Sequence, residues 1–599
     1  MGDGDILVFG RFRVLVGQCQ LLADGEPVAL GSRAFEVLVT LARLQGQLVT
    51  KDQLIAEVWP RIAVEDNTLA VHISALRRTL GDGVAGARYV QTVPGRGYRF
   101  VAPVVREGAE AAGGIMDGPA TTPLHTPTSA ADAASVFALP PHSVAVLAFV
   151  NMSGNPAEEY FSDGISEELI YALSRVEGLQ VVARTSSFSF KSKEASITDV
   201  ARQLNVGAVL EGSVRRADDR VRITAQLING KTGYHLWSES YDRKLSDIFA
   251  LQMDIAEAVT GALEVVLLGN AAMKFELGGT KIAQAFDTYL RGVKLFFTGK
   301  GKEGAGAALA ALDLAVTLDP NYALAHALRA RILRLLSGEW TTDPTLIRTR
   351  FAQAHLAAER AVALAPELGE AHAALAQVLQ DGFFDFAGAD AANERALALA
   401  PGSADVQRAY AGFAASLGRT EPAIAAAQRA LVLDPLNFRS KRELGEVFYF
   451  ARRYRDALTA YQGALSLGAN PDDPEIIFLV GLAHLALGES ELALKGCSDA
   501  AENWLIQVCL AVAYHKLGRQ AEAKAELRKI QLAAGETASY QYAQIYAQWG
   551  EPTEALGCLA AAHRNRDSGL AGLRVDPLLD PIRNTLDFKE IERKLFLPK

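Results

Sequence analysis

Three periodicities follow one another along the chain. In "SRAFEVLVTLARLQG" (32–46) apolar residues recur at three- and four-residue spacing, which predicts an amphipathic helix with Ser32 as its cap. "TKDQLIAEVW" (50–59) predicts a second helix, capped by Thr50. At 100° per residue, "NTLAVHISALRRTLGD" (67–82) gathers Leu69, Ile73, Leu76 and Leu80 into one apolar stripe. Val71, Ser74, Ala75 and Arg78 lie opposite, with His72 and Arg77 on the flanks. "RYVQTVPGRGYRFV" (88–101) then predicts a hairpin whose tip, Pro94-Gly95-Arg96-Gly97, needs glycine's backbone freedom.

From 143 the pattern becomes mixed. "SVAVLAF" (143–149) and "LQVVAR" (179–184) read as short buried strands, and 158–178 between them as a helix. "GAVLEGSVRRADDRVRITAQLIN" alternates around Ala217-Asp218-Asp219: Val221, Ile223, Ala225 and Leu227 point one way, Arg222, Thr224 and Gln226 the other. That is a β-hairpin with one wet face. A strand at 234–241 and a helix at 244–267 complete this part, while Thr185–Lys191 reads as a solvated connector.

Beyond about 280 the strands give way to a repeat. "LDP" or "LAP" follows an alanine-rich helix at Pro320, Pro366, Pro401 and Pro435, intervals of 46, 35 and 34 residues. The 443–471 copy shows Leu444-Gly445, Phe448, Tyr454, Ala457, Tyr461 and Ala464, ending at Pro471. A period near 34 with paired helices is the signature of tetratricopeptide repeats, about seven or eight of them. The tail at 575–591 reads as their closing cap.

Composition changes this picture in a few places. The 106–141 stretch is rich in Ala, Gly, Pro and Thr and reads as a flexible linker. The whole chain carries a formal charge of −9, yet 67–101 holds Arg77, Arg78, Arg88, Arg96 and Arg99 against Asp82 alone. A locally basic helix and hairpin on an acidic chain point to one nucleic-acid-binding face. The four cysteines are scattered, with no C-x-x-C pair, which predicts reduced core residues and no metal site. No apolar run reaches the length of a membrane helix and the N-terminus has no signal-peptide pattern, so a cytoplasmic protein is expected. "GKGKEG" (299–304) fits a dinucleotide pattern by letter but follows a helix, and His235 and Glu239 share a strand face. The sequence predicts neither an enzyme nor a cofactor.

"VHISALRRTLGD" and "QTVPGRGYRFV" resemble the recognition helix and wing of OmpR/PhoB-type regulators, in the variant found in CadC- and HilA-like activators, over residues 7–103. The resemblance implies that Trp59, Asn67, His72, Ser74, Arg77 and Thr92 position the DNA backbone and that Val71 and Ala75 meet base edges. Arg78, Arg96 and Tyr98 complete the expected DNA-facing set. Two departures stand out: Ala75 and Pro94 sit where many relatives carry an arginine. Alanine meets a thymine methyl but makes no bidentate contact to guanine, so phosphate contacts and Arg96 in the minor groove are expected to carry more of the readout. Residues 143–270 resemble the FlgO/TolB-N-terminal-like domain.

The expected architecture is multidomain: a winged helix-turn-helix (α+β) at 1–105, the 106–141 linker, a small α/β domain at 142–272, an all-α tetratricopeptide-repeat solenoid at 280–575 and a capping tail at 576–599. The expected function is transcriptional regulation. The partners would be double-stranded promoter DNA, RNA polymerase, a protein or peptide in the repeat groove, and a second copy in a homodimer on DNA. The alternative is a repeat scaffold in which the winged helix docks a protein through the 59–66 loop.

Overall fold

A computed structural model of the 599-residue chain describes residues 6–15, 20–23, 25–28, 30, 32–58, 73, 76–77, 79–80, 89–93, 97–107, 139–176, 178–217, 220–244, 247–263, 277–299, 301–338, 343–498 and 503–596. They belong to two compact units, Met1–Phe137 and Ala138–Lys599.

The first unit opens with four short strands, β1 (Ile6–Phe9), β2 (Phe12–Leu15), β3 (Gln20–Ala23) and β4 (Glu26–Val28), paired antiparallel in sequence. Their alternation places Leu7, Phe9, Phe12 and Val14 inside. Helix α1 (Ser32–Arg43) starts at Ser32 itself and buries Val37, Leu38 and Leu41. β5 (Val49–Thr50) leads into α2 (Lys51–Val58), whose start is fixed by a reciprocal cap. Gln53 N–H donates to Thr50 Oγ1 at 3.2 Å, and Thr50 N–H to Gln53 Oε1 at 3.0 Å. Helix α3 is described at residues 73, 76, 77, 79 and 80. Ile73, Leu76 and Leu80 are 0–2% exposed, so the stripe read from the period faces the core. Strands β6 (Val90–Val93) and β7 (Gly97–Phe100) form a hairpin, and β5 pairs with β7 in a three-stranded sheet, order β5-β7-β6. β8 (Val105–Glu107) returns to pair with β1.

In the second unit, β9 (Ser143–Val146), β11 (Gln180–Val181) and β12 (Ala208–Ala217) run parallel. β13 (Arg220–Asn229) and β14 (His235–Lys244) continue the sheet antiparallel, and the two-residue β10 (Val150–Asn151) pairs with β12. The hairpin register matches the alternation: Val221, Ile223, Ala225 and Leu227 are fully buried. The 143–149 strand is shorter than its apolar run, and the predicted 158–178 and 244–267 helices are α4 (Glu159–Ser174) and α7 (Ile248–Ala262). Between them lie α5 (Arg184–Phe188) and α6 (Ile197–Leu204). The expected connector at Thr185–Lys191 is therefore partly helical. A long-range dock supplies the reason: Ser186 N–H donates to Asp434 Oδ1 at 3.0 Å, and Leu436 N–H to Ser186 Oγ at 2.8 Å.

Eight helix pairs follow among the described residues, from Ala283–Thr298 with Gly301–Leu318 to Ser539–Trp549 with Pro552–Asn565. "GKGKEG" falls at the first junction, with Gly301–Gly304 already the first turn of the second helix. Within the 443–471 copy, a Cβ at Gly445 would collide with the fully buried Tyr461 ring, which explains why glycine and tyrosine occur together there. From Ala323–Gly338 onward first helices of successive pairs pack on one another, whereas second helices touch their own pair and, as far as Ser490–Ser498, the next first helix. The first helices thereby line the inner face of the curve.

That inner face is occupied by the chain itself. Helix α4 lies on the first pairs: Val144, Phe161, Ile165 and Leu210 share one core with Phe286, Leu290, Tyr322 and Leu368. Tyr160 Oη–H donates to Asp287 at 2.5 Å, and Arg184 joins Glu167 at 2.8 Å while lying 4.3 Å from the Phe297 ring centroid. The expected boundary between an α/β domain and the repeats thus runs through continuous packing. Among the described residues no helix is long and apolar enough to cross a membrane.

Candidate nucleic-acid interface

Sequence reasoning singled out α3 and the β6–β7 hairpin, and Arg77 joins them. Its Nη2 donates to the Val90 carbonyl at 2.9 Å and to Thr92 Oγ1 at 2.6 Å. One guanidinium thus ties the helix to the first wing strand, fixing how far apart the two are and their angle. A fork of rigid donors suits that task better than a lysine ammonium would.

The hairpin itself is set from behind. Gly97 pairs with Thr50, and a Cβ there would collide with the Val49 carbonyl, so only glycine lets β7 close on β5. Thr92 stands opposite Tyr98. Thr92 is exposed, beside Arg77, on the face expected to meet DNA. Tyr98, expected on the same face, is 8% exposed and belongs to the core with Val90 and Phe100. It supports the wing from the inside. Phe9 anchors the sheet's other side, its ring 4.9 Å from Phe100 and 5.8 Å from Tyr89 in edge-to-face geometry.

Trp59, Asn67, Val71, His72, Ser74, Ala75, Arg78 and Arg96 lie outside the described residues, as do the 59–66 loop and, of the hairpin tip, Pro94 and Gly95. Of the expected set, the structure brings Arg77 and Thr92 into direct contact and assigns Tyr98 to the core. Sequence reasoning missed that Arg77 would be spent partly on the wing; the signal was the short spacing from Arg77 to Thr92. No group of three or more metal-ligating side chains occurs among the described residues.

Comparison with known proteins bears on this unit first. The family model "Transcriptional regulatory protein, C terminal" matches residues 25–100. The transcriptional activator CadC of Escherichia coli is 30% identical over 136 residues, 22% of this chain and 25% of CadC. A protein of Rhizobium meliloti called putative adenylate cyclase 3 is 45% identical over 185 residues, 31% of each chain. The chain thus spans less than a third of the length of these curated relatives. The solved DNA-binding domain of E. coli CadC aligns at 30% identity and a TM-score of 0.16, covering 17% of this chain and 98% of that one. Family match, α3 and wing coincide, and residues 25–100 belong to the OmpR/PhoB-type winged-helix family of transcriptional regulators, carried here on a chain that continues into tetratricopeptide repeats.

Proposed function

We propose that this protein is a cytoplasmic, sequence-specific transcriptional regulator in which residues 1–105 bind promoter DNA. The Arg77 brace carries the reading: it ties α3 to the first wing strand in one fixed relation, as two adjacent grooves require. In this reading Val71 and Ala75 face the bases; His72, Ser74, Arg78 and Arg96 contact phosphates or the minor groove; and two copies occupy neighbouring half-sites, where they meet RNA polymerase. The α/β part, of FlgO/TolB-N-terminal-like type, and the repeats form the region that receives a partner. No catalytic role is proposed, since the relative named as a cyclase shares under a third of its length with this chain. Full-length protein incubated with ATP and Mg²⁺ is expected to yield no cyclic nucleotide.

The deciding experiment is capture of genomic fragments by residues 1–137 and by the full chain, with salt titration of any enriched fragment. Specific enrichment with a log–log slope of about −0.9 per phosphate contact supports the reading. Failure of both proteins to enrich any fragment at low salt would sink it in favour of a protein-docking scaffold.

A further inference from the structure

The last repeats hold a segment of two 3-10 turns, Ser568–Gly572 and Pro577–Ile582, and a final helix, Leu586–Phe596, and the segment is the chain's own. After the final helix pair the backbone turns at Arg566, in the left-handed region at φ 55°, and runs back across the inner face. Leu570, Leu573, Leu579, Ile582 and Phe588 are 0–2% exposed there, packed with Phe413, Tyr540 and Ala543. The segment reaches well past the terminal pair it was expected to cap: the Phe596 ring stacks on Phe386 with centroids 4.2 Å apart.

Its middle is held the way a groove holds a peptide, by side chains acting on backbone carbonyls. Arg452 donates to the Val575 carbonyl, and Gln548 Nε2 donates to that of Leu578 at 2.8 Å. Asp576 is the buried anchor. Its carboxylate accepts from Tyr540 Oη–H at 2.9 Å, Gln544 Nε2 at 2.7 Å and Leu578 N–H at 2.9 Å. Asp580 pairs with Arg452 at 2.8 Å on the more open side. The fit is incomplete. Gln544 Oε1 and the hydroxyl of Tyr449, a residue that feels the Asp576 charge, are buried with no hydrogen-bond partner among the described residues.

We propose that this inner face is a clamp for an Asp-Pro-Leu-Leu-Asp segment in an Asp-capped 3-10 turn, occupied in cis by residues 576–580, and that a partner protein engages the array by presenting a segment of the same chemistry in their place. The proposal rests on the reading of the repeats as the partner-receiving region and supplies the chemistry of what is received. The buried aspartate selects the ligand, the two leucines fill the apolar floor, and Arg452 recognises the second carboxylate with its charge. Because the cis segment is tethered, a free peptide competes poorly against it.

The test is fluorescence polarisation with a labelled peptide of sequence LRVDPLLDPIR (573–583) and full-length protein. Wild-type chain is expected to show no saturable binding. A chain carrying Asp576→Ala with Asp580→Ala has a weakened tail and an intact clamp, and it should bind the peptide saturably. A peptide lacking its first aspartate should bind that variant about ten-fold more weakly, the scale of a lost hydrogen bond to a charge. No binding by the variant, or equal binding of a scrambled peptide, overturns the proposal and leaves the tail a structural plug. Should the variant lose its cooperative melt, hydrogen exchange on wild-type protein decides. Amides of 573–583 are expected to exchange faster than those of Ser539–Trp549, and equal protection overturns it. Neither readout involves DNA, so failure of the clamp and failure of the DNA-binding reading are told apart.

Discussion

Arg77 and Arg452 perform one task in two units of the chain. Each donates to a backbone carbonyl and to a side-chain oxygen of one segment: Val90 and Thr92 for Arg77, Val575 and Asp580 for Arg452. They differ in reach. Arg77 spans 13 and 15 residues, whereas Arg452 spans 123 and 128. A brace of short reach forms together with its domain, at small loop-closure cost. A brace of long reach exists only once the intervening repeats have stacked, so it reports on the state of the whole array. The first suits a rigid reading head; the second suits a device that responds.

The strongest way to break this contrast is to open one core and watch the other. Leu76 is fully buried under α3, and Leu76→Ala is expected to cost the first unit about 2–5 kcal/mol. In calorimetry one transition should drop or vanish while that of residues 138–599 stays in place. Movement of both transitions would mean that the units are not energetically separate. Smaller and more specific is Arg77→Ala, which removes the brace and leaves the apolar stripe intact. DNA affinity is expected to fall by about ten-fold, near the 1.4 kcal/mol of a modest polar contact, with the fold retained by circular dichroism. Arg452→Ala should leave DNA affinity unchanged and speed exchange in 573–583. If it weakens DNA binding as much as Arg77→Ala does, the division of labour is lost. Thr50→Ala removes half of the reciprocal cap and should cost the first unit about 1 kcal/mol, read as a shift of its denaturation midpoint alone.

How far these parts are legible in the sequence follows the same distinction of reach. The stripe of Ile73, Leu76 and Leu80, the alternation of Val221 to Leu227, and the cap at Thr50 are all local signals, and each is realised. The repeat period gave away the eight pairs for the same reason. Helix α5 was not legible: "RTSSF" has weak helix propensity, and the contact that fixes it comes from Asp434, 248 residues away. The tail was recognisable as a terminus but not as an occupant of the inner face. Arg452, Tyr540 and Gln544 sit at ordinary repeat positions, and nothing in their spacing announces a shared ligand. In the first unit the sequence singles out both Arg77 and Thr92 but not the contact between them, and the burial of Tyr98 depends on β5, which pairs from 49 residues back.

The smallest expected effect concerns pH, and it separates the units again. Burial and the neighbouring Glu167 charge push Glu168 up to about 8, with Glu370 adding and Arg175 opposing. Burial likewise pushes Glu167 to about 7 against the pull of Arg184. An unfolded chain ionises both near 4.5. Between that pH and about 8 the folded unit therefore holds more protons than the unfolded chain, and stability falls as pH rises. Asp405 has the opposite sign: burial is outweighed by Arg331 and Arg408, which hold it at about 2, so its contribution is already complete above pH 4 and leaves the higher window to the glutamates. The stability of the second unit, read as its melting temperature, is expected to decline from pH 5 to pH 8 and to level off above. Glu168→Gln, which keeps the shape and removes one titration, should flatten that slope in part, the remainder belonging to Glu167 and to Glu446, which burial pushes up to about 8. The first unit's transition should not follow it. A second-unit profile that is flat, or that rises with pH, would mean that α4 does not bury its glutamates against the repeats, and the continuous core joining them would have to be redrawn.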